Sequence, residues 1–101
     1  MRMLIRASFP NEPFNTLVRK GTAGEIMGKI LAAIKPESVY FTDMEGKRTG
    51  LLVVNMENAS QIPALAEPFF LNFHAECHFH PVMTPDDLQK AGLAELGKKW
   101  G

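Results

Sequence analysis

The run TGLLVVNM, residues 49–56, is apolar on both sides of an extended chain. A strand with one wet face alternates apolar and polar residues; a strand buried on both faces does not. Leu51, Leu52, Val53 and Val54 therefore predict a central strand, with a neighbour along each edge and cover above and below. In a chain of 101 residues that demand leaves few architectures. Other strands must flank the run, helices must cover one face, and something further must cover the second.

The flanking strands are visible as alternation. In MLIRASF, residues 3–9, Met3, Ile5, Ala7 and Phe9 fall on one side and Leu4, Arg6 and Ser8 on the other. In ESVYFTD, residues 37–43, Val39 and Phe41 oppose Ser38, Tyr40 and Thr42, and Glu45-Gly46-Lys47 reads as a hairpin turn into the central run. The cleanest period-two pattern lies at 71–80. Leu71, Phe73, Ala75, Cys77 and Phe79 point one way, and Asn72, His74, Glu76, His78 and His80 the other.

Helical spacing fills the gaps. Phe14, Leu17 and Val18, then Ala23, Met27, Ile30, Leu31 and Ile34, recur at three and four residues. They predict one kinked helix or two in succession, entered through Asn11 as a cap. Thr22 and Glu25 have capping-box spacing, and Lys35-Pro36 closes the segment. A second, shorter helix opens near Asn58-Ala59-Ser60 with Ser60 as cap, and carries Ile62, Leu65, Ala66 and Phe69 until Pro68 kinks or ends it. Thr84-Pro85-Asp86-Asp87 is a strong start for a last helix running to about residue 99.

The order is strand, helix, strand, strand, helix, strand and an extra helix. This is the split βαβ, ferredoxin-like pattern, with strand order 4-1-3-2 in a single α+β domain over 1–101. Both crossover helices lie on one face. The other face then holds Arg2, Leu4, Arg6, Tyr40, Thr42, Glu76 and the histidines, with either Leu52 and Val54 or Leu51 and Val53 as an apolar strip. A bare strip of that kind predicts a covering partner, and two such sheets packed face to face make a dimeric α+β barrel. A short chain also buries a modest core, so a second subunit would help it.

The stretches KPESVYFT (35–42), NASQIPALAEPFF (58–70) and HPVMTPDDL (80–88) resemble those of a family of small bacterial proteins of unknown function. With the first strand and helix the likeness covers nearly the whole chain. That family is similar to the dimeric α+β barrel superfamily, which includes cofactor-independent oxygenases, muconolactone isomerases and stress-responsive barrel proteins. The resemblance implies the fold and a homodimer. It implies no reaction and no catalytic residues.

Eleven basic residues balance eleven acidic ones. No charge excess draws the chain to nucleic acid or to an anionic membrane, and the open strands carry only Tyr40 as a stacking aromatic. The apolar stretch near the start is broken by Arg2 and Arg6 and is too short for a signal peptide or a span, and the single cysteine makes no internal disulfide. Both features predict a cytoplasmic protein. Cys77, on the helix side, is expected to be a buried, inert thiol, and no C-x-x-C accompanies it. Gly21-Thr22-Ala23-Gly24 lacks the G-K-[ST] ending of a phosphate loop and reads as a helix joint and a candidate mobile lid over the cavity.

The chemistry sits on the polar side of the fourth strand. His78 and His80 have the spacing that chelates one metal, with Glu76 as a third donor. A strand rises ~3.3 Å per residue, so His74 and His80, roughly 20 Å apart, do not share an ion. No other His or Cys completes the shell, and no cofactor is expected. Arg6, Tyr40, Glu76, His78 and His80 together form a candidate ligand pocket. Arg6 suits an anion, His78 suits proton transfer, and these two are the catalytic candidates. The bland alternative is a solvated edge strand with Glu76 paired to Arg6 across the first strand. The expected function is therefore a homodimer holding a small apolar-anionic molecule. The alternatives are a cofactor-free oxygenase or isomerase of a small aromatic or unsaturated acid, and a divalent-metal binder.

Overall fold

The structure is a computed structural model that describes residues 1–101. Its frame is one four-stranded antiparallel sheet: β1 (Arg2–Phe9), β2 (Ser38–Met44), β3 (Lys47–Asn55) and β4 (Glu76–Pro81), in the order β2-β3-β1-β4. Read from the other edge this is 4-1-3-2, the strand order expected from the succession of elements. The central run indeed pairs on both sides, with β1 and with β2. The hairpin between β2 and β3 turns on Glu45 (φ 55°) and Gly46 (φ 73°), both left-handed, as a two-residue turn requires.

The succession of helices is longer than the six-element plan with one addition. Two helices, α1 (Asn11–Lys20) and α2 (Ala23–Ile34), fill the first crossover. A 3-10 turn (Ala59–Gln61) leads into α3 (Ile62–Phe73) in the second, and both α4 (Pro85–Lys90) and α5 (Leu93–Trp100) follow β4. Gly21 makes the first break. At φ 73° its N–H and that of Thr22 cap the carbonyls of Val18 and Leu17, a left-handed stop that separates α1 from α2. That turn also occupies Thr22, whose hydroxyl donates to the Leu17 carbonyl, so the expected capping box with Glu25 does not form.

Other local expectations are corrected. Asn11 makes no side-chain cap; Pro10 is the cap residue, and Glu12 is extended, so the regular helix begins at Pro13. Asn58, not Ser60, caps the 3-10 turn: its backbone N–H donates to Gln61 Oε1 at 3.2 Å, a reciprocal box that Ser60 is too late to make. Pro68 does not end α3, which continues through it to Phe73. Gly92, at φ 71°, splits the last helix in two.

The core lies between the sheet and α1–α3. Met3, Ile5, Ala7 and Phe9 of β1 meet Leu52 and Val54 of β3, Met27 and Ile30 of α2, and Phe69 and Phe73 of α3. Phe9 is the hub: its ring lies 5.3 Å from both Phe14 and Phe73 and 6.2 Å from Phe69. All three helices cover this one face, so the sheet's other face is left without cover. No helix is long and apolar enough to cross a membrane.

Candidate functional site

Register decides which side chains share the open face. Directly paired residues point the same way. Arg6 pairs with Leu51 on β3 and with His78 on β4, and Leu51 pairs with Tyr40 on β2. One row across the sheet is therefore Tyr40, Leu51, Arg6, His78. The next row toward the start of β1 is Ser38, Val53, Leu4, His80, and the row on the other side is Thr42, Thr49, Ser8, Glu76. The sequence left open which half of the apolar run faces outward; it is Leu51 and Val53, because Leu52 and Val54 are buried under the helices. With Leu4 they make a half-buried apolar strip down the middle of the face.

Arg6, Glu76 and His78 line one shallow polar hollow, with Ser8, Met44, Glu45, Lys47 and Thr49 also in its wall. Tyr40 and His80 share the face but stand outside that hollow. His74 does not belong to the face at all. It is the left-handed cap of α3 (φ 54°), and β4 starts only at Glu76. The expected strand over 71–80 is thus half helix. Sequence reasoning missed Ser8, Thr49 and Lys47; the cross-strand register from Glu76 to Ser8 to Thr49 finds the first two, and Lys47 lies two residues before Thr49 on the same side of β3.

Arg6 is the distinctive group. Its Nε is shielded from solvent and donates to no acceptor. The expected pairing with Glu76 is not made: Arg6 forms no ion pair, while Glu76 Oε2 stands 4.0 Å from His78 Nε2. A buried guanidinium N–H without a partner costs on the order of 1–3 kcal/mol, and more for a charged group. The nearest arginine to it on this face, Arg2, shows the contrast: its Nε donates to both carboxylate oxygens of Glu37 at 3.1 and 3.0 Å, which raises its pKa.

The histidine rings of His78 and His80 stack at 6.5 Å between centroids. No group of three His, Cys, Asp or Glu side chains converges within the chain, so a metal held by His78, His80 and Glu76 would need donors from a second copy. Cys77, between Glu76 and His78, points the opposite way. It is half-buried on the helix side, and desolvation pushes its thiol up to about 11. In comparisons with known proteins, no family model matches the chain and no curated protein matches it significantly.

Proposed function

We propose that this chain acts as a homodimer that binds a small acid between two facing sheets. The protomer is read as ferredoxin-like, on the strength of its strand order and one-sided helices, and the assembly as a dimeric α+β barrel. The observation that carries the reading is Arg6: a buried, unpaired guanidinium donor beside an uncovered apolar strip. Leu4, Leu51 and Val53 suit the hydrocarbon part of a ligand, and Arg6 supplies donors for a carboxylate. Stacking two sheets about 10 Å apart encloses both. Tyr40, Glu76, His78 and His80 lie around that centre and set which other groups of a ligand fit there.

Binding is favoured over catalysis by the geometry of His78. Its 4.0 Å separation from Glu76 is too long for the hydrogen bond that would orient it as a base. Both side chains are also open to solvent in the single chain.

The test is native mass spectrometry on tag-free protein, followed by calorimetric titration with benzoate and cinnamate. The expected species is a dimer of twice the 11.2 kDa chain mass. The dimer binds at least one of these acids, and Arg6→Met weakens that binding at least tenfold, in line with about 1.5–3 kcal/mol for a charged hydrogen bond. A monomer, or a dimer that binds equally well without Arg6, overturns the reading.

A further inference from the structure

The last seventeen residues do not belong to the folded body. From Pro85 to Gly101 every residue except Gly92 is exposed. The exposed residues include Leu88, Leu93, Leu96 and Trp100, the last with 77% of its surface open. Leu93, Leu96 and Trp100 stand at i, i+3 and i+7 of α5 and so form one apolar face. Glu95, Lys98 and Lys99 occupy the remainder, with Lys98 Nζ 3.4 Å from Glu95.

The arm gives the molecule an extended outline of 59 × 28 × 19 Å and a radius of gyration of 16.9 Å. A compact chain of this length has a radius of gyration of about 13 Å. Helices of six and eight residues do not persist alone in water, because nucleation costs more than so few hydrogen bonds return. Yet α4 is well specified: Thr84 accepts from the Asp87 N–H at 3.1 Å, and Asp87 accepts from the Thr84 N–H at 3.0 Å. Its root is also fixed, since the Val82 N–H bonds the Arg2 carbonyl at 3.2 Å. A capped α4 on a held root, leading into an α5 with one greasy face and no partner in its own chain, needs a surface to lie on.

We propose that this arm, residues 84–101, is a clasp that packs its Leu88, Leu93, Leu96 and Trp100 face against a second copy of the chain. The inference rests on the homodimer proposed above and says what locks it. Area argues for a second copy. A compact 11.2 kDa monomer exposes about 5,700 Å², whereas this chain exposes 6953 Å², roughly 1,250 Å² more. Removing that excess from both subunits buries about 2,500 Å², within the range of obligate homodimers. Charge argues the same way. The arm carries Asp86, Asp87 and Glu95 against Lys90, Lys98 and Lys99, and the whole chain balances at eleven of each sign. A neutral arm has no pull toward a polyanion and suffers no repulsion from its own kind. A two-fold axis uses the contact twice, each arm gripping the other body.

The test compares full-length wild type with the L96E/W100E double variant by sedimentation, beside lysine cross-linking of a mixture of isotopically light and heavy protein. Both substituted residues are exposed in the single chain, so the variant keeps its circular dichroism. The expected result is a wild-type dimer, a variant whose dimerisation is weakened at least a hundredfold, and cross-links from Lys98 or Lys99 that join light to heavy chains. A wild-type dimer whose variant associates as tightly, or arm cross-links confined to chains of one isotope, overturns the clasp and leaves the face-to-face dimer standing. A wild-type monomer overturns both.

Discussion

The two faces of the sheet are built from the same strands and obey opposite rules. On the helix side, Ile5, Leu52, Phe69 and Phe73 are at most 1% exposed, and Phe9 seats its ring among three others. On the open side, one residue over in each strand, Leu4, Leu51 and Val53 are only half-buried and Arg6 holds an unpaired donor. The first face is complete within one chain. The second has the composition of an interior and the exposure of a surface. The chain thus completes its fold with one face, and the other is the face that the proposed dimer covers.

The sharpest break of that contrast is on the covered face. Phe73→Ala opens a cavity under Phe9 and Phe14, and the expected loss is about 3–5 kcal/mol of unfolding free energy, read from urea denaturation. A loss under about 1 kcal/mol would mean that the helix side is not the core. On the open face, Leu51→Asp is expected to leave the circular dichroism of the protomer intact and to abolish dimerisation in sedimentation. If Leu51→Asp unfolds the protomer as Phe73→Ala does, the two faces do not differ in kind.

The covered face was also the legible one. Alternation in 3–9 and 37–43 and the unbroken run at 49–56 placed these strands within a residue or two, because period two is unambiguous where no helical period competes; their order in the sheet came from the succession of elements. At 71–80 two periods compete. Phe73 continues the alternation toward Phe79, but it also stands four residues after Phe69, and both rings are fully buried on α3. Burying two phenylalanines is worth roughly 3–6 kcal/mol, which offsets the ~3 kcal/mol of Pro68 inside the helix. Leu71 is left 76% exposed as a consequence, and His74 leaves the strand to cap the helix. The candidate site was legible as a set of residues and not as a contact map. Alternation puts Arg6 and Glu76 on one face, but only register shows that Arg6 lies opposite His78 while Glu76 lies opposite Ser8. The break at Gly92 was carried by a signal present in the sequence, a glycine after a helical run with Lys90 near its end.

The finest probe of the contrast is a pair of adjacent residues, Cys77 and His78, which look to opposite faces. Cys77 has no charged or hydrogen-bonding partner to explain its raised pKa; desolvation alone moves it from 9.0 to about 11. A raised pKa on an acid means that the fold disfavours the thiolate. The sign follows: below pH 9 the thiol is protonated in both the folded and unfolded states and the fold has its full stability. Between pH 9 and 11 the unfolded chain ionises first, so stability falls as pH rises and stops falling once the folded thiol ionises as well. Only the thiolate reacts with disulfide reagents, so at pH 8 the native protein should be labelled more than tenfold more slowly than the urea-unfolded chain. Following thiolate absorbance against a Cys77→Ser control locates the midpoint directly. A native midpoint near 9 would place Cys77 in water, and with it the edge of β4 that the helices are meant to cover.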